Sequence, residues 1–367
     1  MKSVLYSATL LVLAWAVFSC SPQSSESTDP GDALDAYFSA IFPADQPGAA
    51  VLVVKDGQVL LEKGYGVADL TTREAITPNT SFNTGSISKT FVMNGILILA
   101  AEGKLSLDDP LEKYFPNFSN PEIGKKVSII HLLNHSSGLI DSRKVQEDSV
   151  FYLTAKDAEN FAPILANDST AFEPGARFEY SNPAYNALAL IIEQVTGNRW
   201  QDFIIERIFQ PVGLQDSKIT DGPYPQEGVA HAYVFDGQNF IEDDYGEEPT
   251  FPAAGNGGVW SSVRDLYQYE LALQQARFLS AEAIATSRKA YQPDNWSDTI
   301  PSFIGYSWFT GTYKGRDLIF HTGDQGGFMA DYVWVPSEKL FYTILCNTRK
   351  PTDEYRAKVL DTVLPTL

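Results

Sequence analysis

Apolar positions along the chain sort into three regimes. Near the start, Val4 to Phe18 is an apolar run behind Lys2, broken only by Tyr6, Ser7 and Thr9. It is short for a membrane span and has the layout of a secretory signal. Asp32 to Phe42 then shows helical spacing behind Asp32 as a cap. Ala50 to Val54 and Val59 to Tyr65 are β-rich runs joined by Asp56-Gly57, a hairpin signal. Small residues, Asn83-Thr84-Gly85-Ser86, turn into the apolar run Val92 to Ala101. That predicts a loop feeding a buried helix that begins at Ser86 and ends near Gly103.

From about 105 to 216 the spacing is helical with long connections. Helices are predicted at Ile129 to Asn134, at Pro183 to Thr196 with Gly197 as stop, and at Trp200 to Phe209 with Pro211 as stop. The turn Gly255-Asn256-Gly257-Gly258 is a tight turn or a point of close approach. An amphipathic helix from Ser262 to Leu273 follows. Strands are predicted at Ile304 to Phe309, Leu318 to His321, Met329 to Val335 and Phe341 to Cys346, then a closing helix from Thr352 to Leu364. Short linkers between these strands suit antiparallel neighbours. The expectation is an α/β (α+β) fold. One antiparallel sheet is flanked by helices and assembled from both chain ends, with an inserted helical subdomain at about 105–216. Residues 1–20 would be a signal, 21–31 a flexible tether and 32–367 the folded body.

Composition supports a folded body and removes several functions. Of 367 residues, 44% are hydrophobic and 13% aromatic, so a large core is available. A net charge of −19 and a pI near 4.6 argue against nucleic acid as partner and against electrostatic docking on anionic lipid. The two cysteines, Cys20 and Cys346, are too few and too far apart for a disulfide framework or a zinc site. Cys346 reads as core packing. Ser19-Cys20 resembles a bacterial lipoprotein cleavage site, and Ser21 to Gly31 is free of apolar residues. The expectation is lipidation at Cys20 and a body tethered at the bacterial cell envelope, periplasmic or outer-membrane facing.

The candidate chemistry starts at Ser86. It is the one serine in the chain followed three residues later by lysine, and on a helix Ser86 and Lys89 share a face. A hydroxyl beside an amine can be a nucleophile beside its base, and burial weakens a lysine's preference for its charged form. Two further motifs occur once each, Tyr180-Ser181-Asn182 and His321-Thr322-Gly323. No P-loop, dinucleotide fingerprint or metal-ligand cluster is present, so no cofactor or metal is expected.

In order and spacing these three motifs resemble the serine β-lactamase and penicillin-binding-protein superfamily. The likeness is to the side of class C β-lactamases, DD-carboxypeptidases, D-aminopeptidases and related esterases. Supporting segments are Leu107-Asp108-Asp109-Pro110-Leu111, His131 to Leu139, Glu173-Pro174-Gly175 and Gly257-Gly258. The resemblance implies a β-lactamase/transpeptidase-like fold in which Ser86 is acylated and Lys89 and Tyr180 share its proton. A nearby lysine would favour the Tyr180 phenolate. Asn182 would bond Lys89 or a substrate amide. The backbone N–H groups of Ser86 and Asp324 would hold the oxyanion, with His321, Thr322 and Gly323 lining the site. Asp324 would disfavour anionic substrates or turn away, and Gly326-Gly327 would admit a substrate backbone. His131 and His135 read as structural.

The expected function is a serine hydrolase acting through an acyl-enzyme on D-amino-acid peptides, β-lactams or small esters. His321 stands where true class C β-lactamases carry a lysine, so β-lactam hydrolysis would be a side activity. The alternatives are a penicillin- or peptidoglycan-binding lipoprotein with negligible turnover, and a structural lipoprotein with a retired site.

Overall fold

The computed structural model describes residues 29–142, 157–219, 227–243 and 254–364. The signal, Cys20 and most of the 21–31 tether lie outside them. Strands β1 (Ala49–Lys55) and β2 (Gln58–Tyr65) come from the start of the chain. Five short strands follow: β3 (Phe82–Asn83), β4 (Lys218–Ile219), β5 (Tyr233–Phe235), β6 (Phe240–Glu242) and β7 (Val259–Ser261). Strands β8 (Phe309–Tyr313), β9 (Arg316–Gln325), β10 (Phe328–Val335) and β11 (Leu340–Cys346) come from the end. The main sheet runs β2-β1-β11-β10-β9-β8, antiparallel throughout. As expected, both chain ends build it, joined where β1 pairs with β11.

The strand β1 is buried from Ala49 to Val54 because both faces of the sheet are covered. Ala49, Val51 and Val53 join Phe38, Tyr342 and Tyr355 under the first and last helices. Ala50, Leu52 and Val54 join Phe91, Tyr332 and Phe341 on the opposite face. Covering on both faces gives an unbroken apolar run in place of alternation. Asp56 and Gly57 take φ of 50° and 78°, the left-handed pair that a type I′ hairpin requires.

Several boundaries differ from the sequence expectation, among them β9, which runs from Arg316 to Gln325 and not only Leu318 to His321, and four others have a plain physical reason. The first helix, Pro30–Ile41, starts ahead of Asp32; Asp29 caps it by accepting from the Gly31 N–H. Pro30 and Gly31 look like linker, but proline suits the first helical position, where no N–H is needed. Pro211 does not end the Trp200 helix. A π turn at Ile205–Phe209 carries the chain on through Val212 to Gly213, whose φ is 84°. That wider turn stands where a proline would otherwise break the ladder. Ile304 to Phe309 is not a strand. Gly305 N–H donates to Trp308 O and Ser307 takes a φ of 66°, so the chain turns there and β8 begins only at Phe309. Ile304, Tyr306 and Trp308 alternate because all three enter the core from this turn. Lastly, Ser86 precedes the central helix, Ser88–Ala101, instead of starting it.

The central helix is buried from Ser88 to Leu99, apolar on all sides as an internal helix must be. At Gly95 a Cβ would sit 2.8 Å from Ile204 Cδ1 and 2.9 Å from Ile192 Cδ1. The helix therefore lies hard against Trp200–Ile204 and against the long helix Asn182–Thr196. This sets the Ser86 turn between the sheet and the helical region.

Candidate active site

Ser86 occupies a 3₁₀ turn, Gly85–Ile87. Gly85 N–H donates to Asn83 Oδ1 at 2.9 Å, Thr84 Oγ1 donates to Val259 O at 2.8 Å, and Val259 N–H donates to Ser88 Oγ at 3.0 Å. These bonds pin the turn to β7. On its other side it meets β9. Gly85 has a φ of 51°, and a Cβ on it would lie 2.7 Å from the Asp324 backbone nitrogen. A Cβ on Gly323 would lie 2.0 Å from Thr84 O. Turn and strand thus touch backbone to backbone, and neither position has room for a side chain. Strand β8 stops opposite Phe320, so from His321 to Gln325 strand β9 pairs with β10 on one edge only. Its other edge faces the Ser86 turn.

Lys89 is completely buried. Its Nζ donates to Ser86 Oγ at 3.0 Å and to the backbone oxygen of Asn256 at 2.7 Å. The same nitrogen lies 5.1 Å from the ring centre of Tyr180 and 5.8 Å from that of Tyr185. Three distant segments therefore converge on one hydroxyl. Tyr180 keeps 37% of its surface open along the ring. Burial around its phenol nevertheless pushes the pKa up, and the Ser86 hydroxyl only partly opposes this. The expectation of a favoured phenolate is thereby corrected: desolvation of the anion outweighs the Ser86 hydroxyl that opposes it.

Tyr180 leads directly into the Asn182–Thr196 helix, where Ser181 Oγ accepts from Ala184 N–H at 3.2 Å as the N-cap. Asn182 is half-buried, in the first turn of that helix. The loop at Asn256 receives the amine. His321 is 1% exposed on the site-facing side of β9. Its pKa is pushed down to about 3, first by burial and then by Lys89. It is a neutral imidazole at neutral pH. Thr322 and Asp324 alternate outward and are exposed. Arg349 grips Asp324 with a pair of bonds at 3.2 and 3.0 Å, which offsets the charge of this carboxylate. Gly327 serves the chain itself. A Cβ there would fall 2.6 Å from Tyr233 N, and its N–H donates to Asp243 O at 3.1 Å. The close approach is to β5 and not to a substrate.

His131 is structural, as expected, accepting from Ser128 N–H at 3.2 Å in a capping box. Cys346 is buried in β11. His135 is different. It is fully buried, its Nδ1 accepts from Ser181 N–H at 3.0 Å, and its ring stacks on Tyr180 at 4.4 Å. It holds the second motif from behind. Burial, helped by Lys89 and His321, drives its pKa well below the usual value. It takes a φ of 57° at a helix end, and nothing in sequence links it to Ser181, 46 positions away. Asn256 and Asn186 were likewise hidden, since a backbone acceptor leaves no mark in side-chain identity.

One side of the site is aromatic. Phe309 stacks on Tyr180 at 6.4 Å and leans on His321 at 5.3 Å. Phe303 lies parallel to Phe309 at 6.1 Å and edge-on to Phe178 at 4.8 Å. Phe303, like Tyr180, is 37% exposed.

Comparison with known proteins agrees with this arrangement. The chain is 28% identical over 347 residues to Penicillin-binding protein 4* of Bacillus subtilis (strain 168), covering 89% of this chain and 74% of that one. It superposes on the octameric penicillin-binding protein homologue from Pyrococcus abyssi with a TM-score of 0.74 at 27% identity, covering 91% of this chain and 76% of the other. The D-amino acid amidase from Ochrobactrum anthropi SV3, complexed with L-phenylalanine amide, shares the fold, with a TM-score of 0.75 at 21% identity over 92% of this chain and 99% of that one. The family model described as Beta-lactamase matches residues 38–363, and the chain belongs to the beta-lactamase family.

Proposed function

We propose that this chain is a serine hydrolase that cleaves amide or ester bonds through an acyl-enzyme on Ser86. The observation that carries the reading is the buried Lys89 amine, 3.0 Å from Ser86 Oγ. Ser86 Oγ attacks the substrate carbonyl carbon as its proton passes to Lys89 Nζ. The carbonyl electrons move onto oxygen, which the N–H groups of Ser86 and Asp324 receive; one such donor is worth roughly 10²–10³ in rate. Tyr180, held protonated by burial, gives its proton to the leaving nitrogen or oxygen as the scissile bond breaks. Lys89 then returns a proton to the phenol. Water repeats the sequence in reverse to free the acid and Ser86. Asn182 bonds Lys89 or the substrate amide.

The same site supports a substrate preference. A neutral His321 offers no fixed charge to a carboxylate, and the rings of Tyr180, Phe303 and Phe309 favour an apolar, uncharged group. Small esters and amides, including those of D-amino acids, fit this better than β-lactams. The similar fold of the Ochrobactrum protein, a D-amino acid amidase, supports the same preference. Attachment to the cell envelope through Cys20 belongs to the same proposal and rests on the Ser19-Cys20 sequence.

Intact-mass analysis with a fluorophosphonate, together with turnover of a chromogenic ester, tests the mechanism. The expected result is one adduct per chain and steady turnover, both lost in Ser86→Ala. Full turnover in that variant, or a single burst without turnover in the native chain, would overturn it.

A further inference from the structure

The acceptor of Lys89 is a backbone oxygen in the glycine-rich segment Gly255-Asn256-Gly257-Gly258. Such a segment has little stiffness of its own. We propose that Asn186 is the positioning residue that fixes this oxygen, and through it holds the Lys89 amine on Ser86. The inference rests on the reading of Lys89 as the proton acceptor.

Asn186 is 1% exposed and lies one turn beyond Asn182 on the same helix. Its Nδ2 donates to two points of the segment, Ala254 O at 2.5 Å and Asn256 Oδ1 at 2.7 Å. The two bonds straddle Gly255, whose φ is 90°. A Cβ on Gly255 would meet Ala189 Cβ at 2.5 Å and Tyr185 O at 2.7 Å, so the segment lies flat on this helix. The clip therefore fastens both neighbours of the flexible glycine. Asn256, held by its side chain, aims its carbonyl at Lys89 Nζ at 2.7 Å.

The helix carrying Asn186 is the one that Tyr180 enters. One rigid element thus sets the phenol directly and the amine indirectly. If the clip is cut, the loop carbonyl drifts and Lys89 loses an oxygen partner. A purely structural asparagine would affect folding but leave the protonation behaviour of the site alone.

The test uses the native chain, Asn186→Ala, Asn256→Ala and the double variant. Circular dichroism and phosphonate labelling of Ser86 check folding and site integrity. Turnover of a chromogenic ester is then measured from pH 5 to pH 9. Because a carbonyl acceptor favours the charged amine, its loss shifts the acid limb of kcat/KM to lower pH. The expected shift is about half to one unit. The variants should lose roughly 10- to 100-fold in kcat, a part of the general-base contribution, with KM changed less than about threefold. The double variant should be no more than about threefold worse than Asn186→Ala, because the two residues act as one unit.

Folded single variants with native kcat and an unmoved acid limb would overturn the proposal. Multiplying losses in the double variant would do the same. If Asn186→Ala does not fold, Asn256→Ala carries the test alone, since it removes the clip's acceptor and keeps the backbone carbonyl. A native chain that neither labels nor turns over would instead sink the hydrolase reading, and the clip's role with it.

Discussion

His321 makes acid stability a direct readout of the site's electrostatics. In the unfolded chain a histidine titrates near ~6.5. In the folded protein, burial and Lys89 hold this one at about 3. Between those values the unfolded state binds a proton that the folded state refuses, so stability falls as pH falls. The slope is about 1.36 kcal/mol per pH unit for each such group. From pH 7 to pH 4.5 the contribution of His321 alone is on the order of 2.5 kcal/mol, lost towards acid. His135 and His131 are also depressed by burial and act in the same direction. Comparing His321→Gln with the native chain isolates one group from the rest. Urea unfolding at pH 7.0, 5.5 and 4.5 provides the assay. Whatever the glutamine does at pH 7, its stability relative to native should improve by roughly 2–3 kcal/mol at pH 4.5. A difference that stays constant across the three pH values would refute the buried neutral imidazole. Such a constant difference would show a histidine that titrates alike in the folded and unfolded chain and can supply positive charge.

Two further outcomes follow from contacts already described. Gly323→Ala places a Cβ 2.0 Å from Thr84 O and should force the Ser86 turn off β9. Phosphonate labelling of Ser86 should slow by roughly 10²–10³ as the Asp324 N–H is displaced, measured beside circular dichroism. Phe303→Ala removes an open ring from the aromatic wall. It should lower kcat/KM for phenylacetyl esters relative to acetyl esters by roughly tenfold, within the ~1–3 kcal/mol of a lost pocket contact.

The sheet was legible because its strands are apolar runs between short polar turns, a pattern that burial on both faces imposes. Ser86, Lys89 and Tyr180 were legible because their identities are fixed by what the side chains must do. What stayed hidden has one physical origin. Ser307 bends a segment whose alternate residues still face the core, so its pattern passes for a strand. Asn256 works through its carbonyl, which any residue possesses. His135 acts through a ring contact with a residue far along the chain, and neither partner changes type on account of it. The direction of the Tyr180 shift was misread for a related reason. Sequence shows that a lysine is near but not how much water has been removed from the phenol.

Removal of water has the further effect of separating this site's two kinds of recognition. Lys89 and Tyr180 face Ser86 in a dry setting, where proton transfer is sensitive to small displacements. The open edge of β9 and the aromatic wall lie outside it. His321, buried behind that edge, is neutral, and Arg349 is engaged by Asp324 in an exposed pair. Exposed pairs contribute only about 0–1 kcal/mol, so this one can open to a substrate at small cost, but it brings no net charge. Electrostatic attraction therefore has little hold on what enters, and the fit of an apolar group to Phe303, Phe309 and Tyr180 has more. A lysine introduced at position 321 would enter a buried place beside Lys89. Two amines there would repel each other, and at least one would give up its charge. Recognising a carboxylate by the lysine of true class C β-lactamases is thus closed to this site unless its dry interior is also rebuilt.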